Sequence, residues 1–133
     1  MRLWLLSDLH LESCSWDLPP VHERPAYDVM IVAGDLITRM ERGVRWLRQR
    51  VPDHPVIYVM GNHEAYGGSI ERTLEKARLE ADGSNVHVLE NESVHLRGAD
   101  GDVTIAGCCL WTNFALHGDA HGAMIVAGER MND

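Results

Sequence analysis

"VIYVMGNHEAY", residues 56–66, runs five apolar or aromatic side chains straight into Gly-Asn-His-Glu. A short apolar run rich in β-branched and aromatic residues, closed by turn formers, reads as a strand buried on both faces. Its polar ending would be an ordinary turn if it stood alone. The chain repeats it twice upstream: "MRLWLL" (1–6) stops at Ser7-Asp8, and "YDVMIVAGD" (27–35) stops at Gly34-Asp35. Three buried strands that each end in metal-capable or proton-transferring groups predict a shared site.

The segments between them set the architecture. Residues 11–27 read as a loop punctuated by Pro19, Pro20 and Pro25. Thr38 is placed to cap a helix over 39–50, with Val44 and Leu47 inward and Arg39, Arg42, Arg45, Arg48 and Arg50 on a solvated face. Pro52 and Pro55 end it. Ser69 is placed to cap a second helix over 70–81, with Ile70, Leu74 and Ala77 as its inner stripe. "NVHVLEN" (85–91) and "SVHLRG" (93–98) read as a hairpin, "DVTIAGCCLW" (102–111) as a further strand, and 119–130 as a helix.

This alternation predicts an α/β fold, a parallel or mixed β-sheet with flanking helices, in one domain over 1–133. In such sheets ligands collect beyond the carboxyl ends of the strands. Asp8, His10, Asp35, Asn62 and His63 all fall there. Parallel neighbours lie about 4.8 Å apart, so the side chains at three adjacent strand ends converge.

Composition narrows the partners. A net charge of −8, from 12 basic and 20 acidic residues, opposes a broad electrostatic grip on nucleic acid or an anionic membrane. The apolar start, at four consecutive residues before Ser7, is too short for a signal core or a membrane span. Three cysteines, an odd number with Cys108 and Cys109 adjacent, argue against a disulfide framework and for a reducing cytoplasm.

Carboxylates, imidazoles and an Asn carbonyl make a mixed nitrogen and oxygen ligand set suited to Mn, Fe or Zn. Asp35, on the middle motif, is the natural bridge between two cations. Two ions about 3.5–4 Å apart polarise a phosphoryl oxygen and acidify a shared water, whose hydroxide attacks phosphorus in line. His63 is positioned to donate a proton or hydrogen bond to the leaving oxygen.

"DLH" (8–10), "GD" (34–35) and "GNHE" (61–64) resemble the D-x-H, G-D and G-N-H-[DE] signatures of the calcineurin-like metallophosphoesterases. "AGCCLWTNF" (106–114) and "AMIVAGERMND" (123–133) are similar to later segments of bacterial members. The resemblance implies a metal-dependent phosphomonoesterase or phosphodiesterase with two metal ions. It implies metal ligation by Asp8, His10, Asp35 and Asn62, a catalytic role for His63, and a phosphate-ester substrate, with nucleotides among the candidates. Family members carry a further histidine and a G-H-x-H motif in a second half that builds the other sheet of an α/β/β/α sandwich. Relative to that pattern the chain reads as the N-terminal half, and its uncovered apolar sheet face predicts a homo-oligomer.

Plainer readings exist for each residue. A loop Asp and a turn-forming Gly-Asn need no metal when taken singly. Three ordered motifs at three strand ends outweigh those readings together. His117 and His121 have an i, i+4 spacing, but Gly118 between them weakens a helical ligand pair. His87 and His95 read as outward-facing strand residues, His22 and His54 carry no signal, and Cys108 and Cys109 read as inert residues of a buried strand. Trp4, Trp46 and Trp111 read as core or interface anchors, and Met30 and Met60 as strand core. A non-catalytic interaction scaffold of the same fold is the alternative function. It gives the five site residues no task. A receiver-like domain with a carboxylate-lined Mg²⁺ site ranks last, because His10 and Asn62-His63 have no role there.

Overall fold

Four short strands open the chain and lie side by side in sequence order, all parallel: β1 (Leu3–Leu6), β2 (Val29–Ala33), β3 (Val56–Val59) and β4 (Val86–Leu89). This is a computed structural model, and it describes residues 1–98, 101–110 and 113–131. Parallel neighbours need long crossovers, and two are helical: α1 (Met40–Arg50) joins β2 to β3, and α2 (Ile70–Ala81) joins β3 to β4. The strand order never reverses, so both crossovers return to the same face of the sheet.

Register decides which side chains meet the helices. Met30 is paired with Val56 and that with Val86, while Val32, Tyr58 and Val88 form the next row. Those rows pack against Met40, Val44 and Leu47 of α1 and Leu74, Ala77 and Ala81 of α2 in one continuous core. Alternate residues point to the opposite face, because strand side chains have a period of two. There Val29, Ile57 and Leu89 meet Val94, Leu96 and Ile105 of an antiparallel hairpin, β5 (Glu92–Leu96) with β6 (Val103–Gly107). The last element, α3 (Ala120–Arg130), is capped by Asp119 and buries none of its residues.

The expected α/β fold with parallel strands at its start is therefore present, with four local corrections. Residues 85–98 do not form a hairpin: "NVHVLEN" supplies β4 of the parallel sheet, and the hairpin is one strand later. The reason is that Val86 and Val88 face the helices while Leu89 faces the hairpin, so β4 is apolar on both sides. Thr38 does not cap α1. Arg39 occupies that position in a left-handed conformation (φ 66°) without a side-chain cap, and Glu41 in the first turn pairs with its guanidinium at 3.0 Å. Ser69 does cap α2, accepting from Arg72 N–H at 3.3 Å. Ile70, however, is exposed in its first turn, and the buried face is Thr73, Leu74, Ala77 and Ala81. Finally, Cys108 and Cys109 lie past the end of β6 and are half-buried.

Trp4 and Trp46 do pack against the core, and Trp111 lies outside the described residues. The Arg face of α1 is solvated as expected, and it is tied down by Glu80 to Arg45 and Arg48 and by Asp17 to Arg50. Among the described residues no helix is long and apolar enough to cross a membrane.

Candidate metal centre

Strands β1, β2 and β3 all finish at the same edge, and the loops leaving them are zipped together by backbone. Asp8 N–H donates to Gly34 O at 3.2 Å, His10 N–H to Asp35 O at 2.9 Å and Leu11 N–H to Leu36 O at 2.9 Å. Asp8, His10 and Asp35 hold φ of 56°, 45° and 53°, a left-handed conformation that non-glycine residues seldom adopt. Three such residues at one strand-end crest mark a backbone held by its surroundings, as functional loops commonly are. Gly34, itself at φ 87°, lies so close to Gly61 that a Cβ on it would stand 2.8 Å from the Gly61 nitrogen. A Cβ on Gly61 would run into the Asp35 carboxylate. Glycine at both positions lets the second and third loops touch.

The donors that result form one cluster. His10, Asp35 and His63 each place a ligand atom within 4.8 Å of the others. The Nδ1 atoms of His10 and His63 are 3.3 Å apart, with the rings edge to face at 4.3 Å between centroids. Two imidazole nitrogens and a carboxylate at that separation fit a divalent cation by donor chemistry and by spacing. Asp35 also holds the third loop, because its Oδ1 accepts from the His63 N–H at 3.0 Å. Asp8 is on the open side: its carboxylate is 67% exposed, accepts from the Ser7 hydroxyl, and stands 4.0 Å from His10 Nε2. Asn62 uses its Nδ2 to donate to Tyr66 OH at 2.9 Å, which leaves its Oδ1 as the acceptor. Tyr66 also lies against the His63 ring, 4.5 Å between centroids.

Two acidic residues organise this arrangement, and the sequence reading gave neither a role. Glu64 is 1% exposed and lies beneath the crest. Its Oε2 accepts from Gly61 N–H at 2.8 Å and Asp35 N–H at 3.1 Å. Its Oε1 accepts from Leu36 N–H at 2.8 Å and Tyr58 OH at 2.7 Å. One carboxylate thus binds the loops after β2 and β3 to each other, which fits the rule that buried charge is retained only where fully hydrogen-bonded. Burial first, and then the neighbouring Glu64, drives the Tyr58 hydroxyl pKa well above its ordinary value, so Tyr58 stays a donor. The signal was present, since an acidic residue follows directly on the Gly-Asn-His turn of a buried strand.

Glu12 is the second. Its Oε1 is 2.7 Å from His63 Nδ1 and 3.4 Å from His10 Nδ1, with the side chain only 18% exposed. Burial works against its charge, yet hydrogen bonds from its own backbone N–H, from His63 and from His10 outweigh that and hold the carboxyl below the usual range. Nothing in the spacing of "DLHLES" (8–13) marks Glu12, because the loop that brings it back to His63 has no period.

The remaining histidines stand apart from this cluster. His87 sits half-buried on the hairpin side of β4, where desolvation lowers its pKa. His95 is exposed and contacts Thr104 and Asp102. His117 precedes α3 and His121 lies within it, so the two are not a helical pair.

The model of the calcineurin-like phosphoesterase family matches residues 1–125. The chain belongs to that family. No curated protein and no solved structure gives a match to the chain. Membership carries metal-dependent phosphoester hydrolysis at the level of the family, which uses divalent ions, and the His10–Asp35–His63 cluster fits a metal site.

Proposed function

We propose that this protein hydrolyses phosphoric esters at a dinuclear metal centre on the carboxyl edge of its parallel sheet. One observation carries the reading: donor atoms of His10, Asp35 and His63, from three consecutive strand ends, lie within 4.8 Å of one another. Asp8 and His10 would hold one ion, Asn62 through its Oδ1 would serve the other, and Asp35, on the middle motif, would serve both. The bound ions would place charge on the phosphoryl oxygens and bring a hydroxide nucleophile within reach at neutral pH. His63 would then direct a proton or hydrogen bond toward the departing oxygen. Substrates of this chemistry are phosphomonoesters or phosphodiesters, nucleotides included.

The free cysteines Cys14, Cys108 and Cys109 support a reducing, cytoplasmic setting. Exposed Leu3 and Leu5 on the outer strand of the sheet support self-association as the protein's macromolecular partnership.

The test is turnover of p-nitrophenyl phosphate and bis(p-nitrophenyl) phosphate by the Mn²⁺-loaded chain. Hydrolysis of either ester, abolished by Asp35→Asn and by chelator, is expected. A chain that binds Mn²⁺ and turns over neither ester would favour the scaffold role.

A further inference from the structure

Helix α3 has no charged side to turn to water along most of its length. Residues 120–128, "AHGAMIVAG", hold no Asp, Glu, Lys or Arg, and the charges come only at Glu129 and Arg130. Met124, Ile125 and Val126 follow one another, so they spread over about 200° of the helix instead of lining one stripe. All three are more than half exposed. A helix shorter than about 12–15 residues is marginal in water by itself, and α3 has 11, with glycine at 122 and 128. A helix apolar around most of its circumference belongs in a buried setting.

The fold leaves a seat of matching chemistry. Between the sheet and the hairpin lies an open groove of about 1110 Å³, floored by Ile31, Ala33, Ile57 and Val59 and walled by Ile105 and Leu110. The floor continues along one row of the sheet, from Ile57 through Ile31 to Leu5, and Leu5 is exposed. Gly107 keeps the wall close to the sheet, since a Cβ on it would stand 2.8 Å from Val59. Floor and wall together cover two sides of a helix, as an apolar helix without a single stripe requires. A helix of 11 residues, taken as a cylinder about 10 Å across and about 16 Å long, fills roughly 1300 Å³. That is close to the volume of the groove. Among the described residues none of α3 lines it.

We propose that α3 seats in this groove of a second copy, and that the reciprocal exchange closes a two-fold dimer. This rests on the self-association proposed above and names the parts that meet. Each chain holds its own helix outside its own groove, so the helix that fills the groove comes from another copy. A two-fold pair gives every groove a helix and every helix a groove, and the exchange ends there.

Sedimentation of the unmodified chain at micromolar concentration is expected to show a dimer, and Met124→Glu with Ile125→Glu is expected to leave only monomer. Neither residue is buried within the chain, so its own fold does not depend on them. Disulfide trapping reads the seat itself, because Cys108 and Cys109 line the groove. One chain carries Ile125→Cys with Cys14→Ser, Cys108→Ser and Cys109→Ser; the chain co-expressed with it carries Cys14→Ser alone. A bond from position 125 to Cys108 or Cys109 can then only join two chains. Mild oxidation is expected to form that bond, identified by peptide mass spectrometry. A dimer in which it does not form would overturn the α3 seat. A dimer that survives the two glutamates but not Leu3→Lys with Leu5→Lys would also overturn it, while leaving self-association standing. An unmodified chain that stays monomeric would strike both.

Discussion

Glu64 shows how much of the site depends on a group that never faces it. Four donors converge on its two oxygens, from Asp35, Leu36, Tyr58 and Gly61. Substituting Glu64→Gln turns one oxygen into an amide N–H₂ that must face two donors, each stranded at about 1–3 kcal/mol. Tyr58→Phe removes one hydrogen bond to a charged acceptor, about 1.5–3 kcal/mol. Urea unfolding is expected to rank Glu64→Gln as the more destabilised of the two. A milder loss than in Tyr58→Phe would mean that the carboxylate does not tie the loops together. His87 offers a residue-level pH prediction. Its folded pKa is depressed by burial, so the unfolded chain takes up the proton first as pH falls below about 6.5. The stability it contributes is present above that pH and declines as pH falls through it. His87→Leu is expected to flatten the decline between pH 7 and pH 5, and an unchanged slope would locate the effect elsewhere.

At the scale of elements, α1 and β3 are fitted to each other around a glycine. A Cβ on Gly43 would stand 2.6 Å from the Tyr58 hydroxyl oxygen and 2.9 Å from its ring. Helix propensity alone favours Gly43→Ala by about 1 kcal/mol. Overpacking against a ring fixed by Glu64 costs roughly 1–3 kcal/mol, so the variant is expected to unfold at lower urea. A stabilised Gly43→Ala chain would show that Tyr58 can yield. Elements were legible where a single local pattern decided them. The run from Val56 to Met60, the cap at Ser69 and the apolar spacing of α1 each state their own structure. β4 is not legible in that way because pairing is non-local: Val86 and Val88 belong beside β3 only once α2 has crossed over. Thr38 failed as a cap because the preceding loop is set by tertiary bonds, Arg39 N–H donating to Glu64 O at 3.1 Å. In the same way Asp8, His10, Asp35, Asn62 and His63 could be named from strand ends, whereas Glu12 and Glu64 act through contacts between loops distant in sequence.

Across the whole molecule the sheet is covered unequally. The helical face is closed by α1 and α2, while the opposite face is met by one hairpin, and Leu3 and Leu5 of β1 remain 53% and 62% exposed. β1 is also an outer strand of the sheet, and an uncharged apolar edge invites association. Sedimentation at micromolar concentration is expected to show a dimer or larger species, with Leu3→Lys and Leu5→Lys together shifting it toward monomer. A monomer at all concentrations would rule self-association out.

The proposed function requires a centre for two metal ions at three strand ends. Elemental analysis of protein purified without chelator and back-titrated with Mn²⁺ tests it most directly. Two ions per chain are expected, with Asp35→Asn losing both; one ion or none in the unmodified chain would rule the dinuclear centre out.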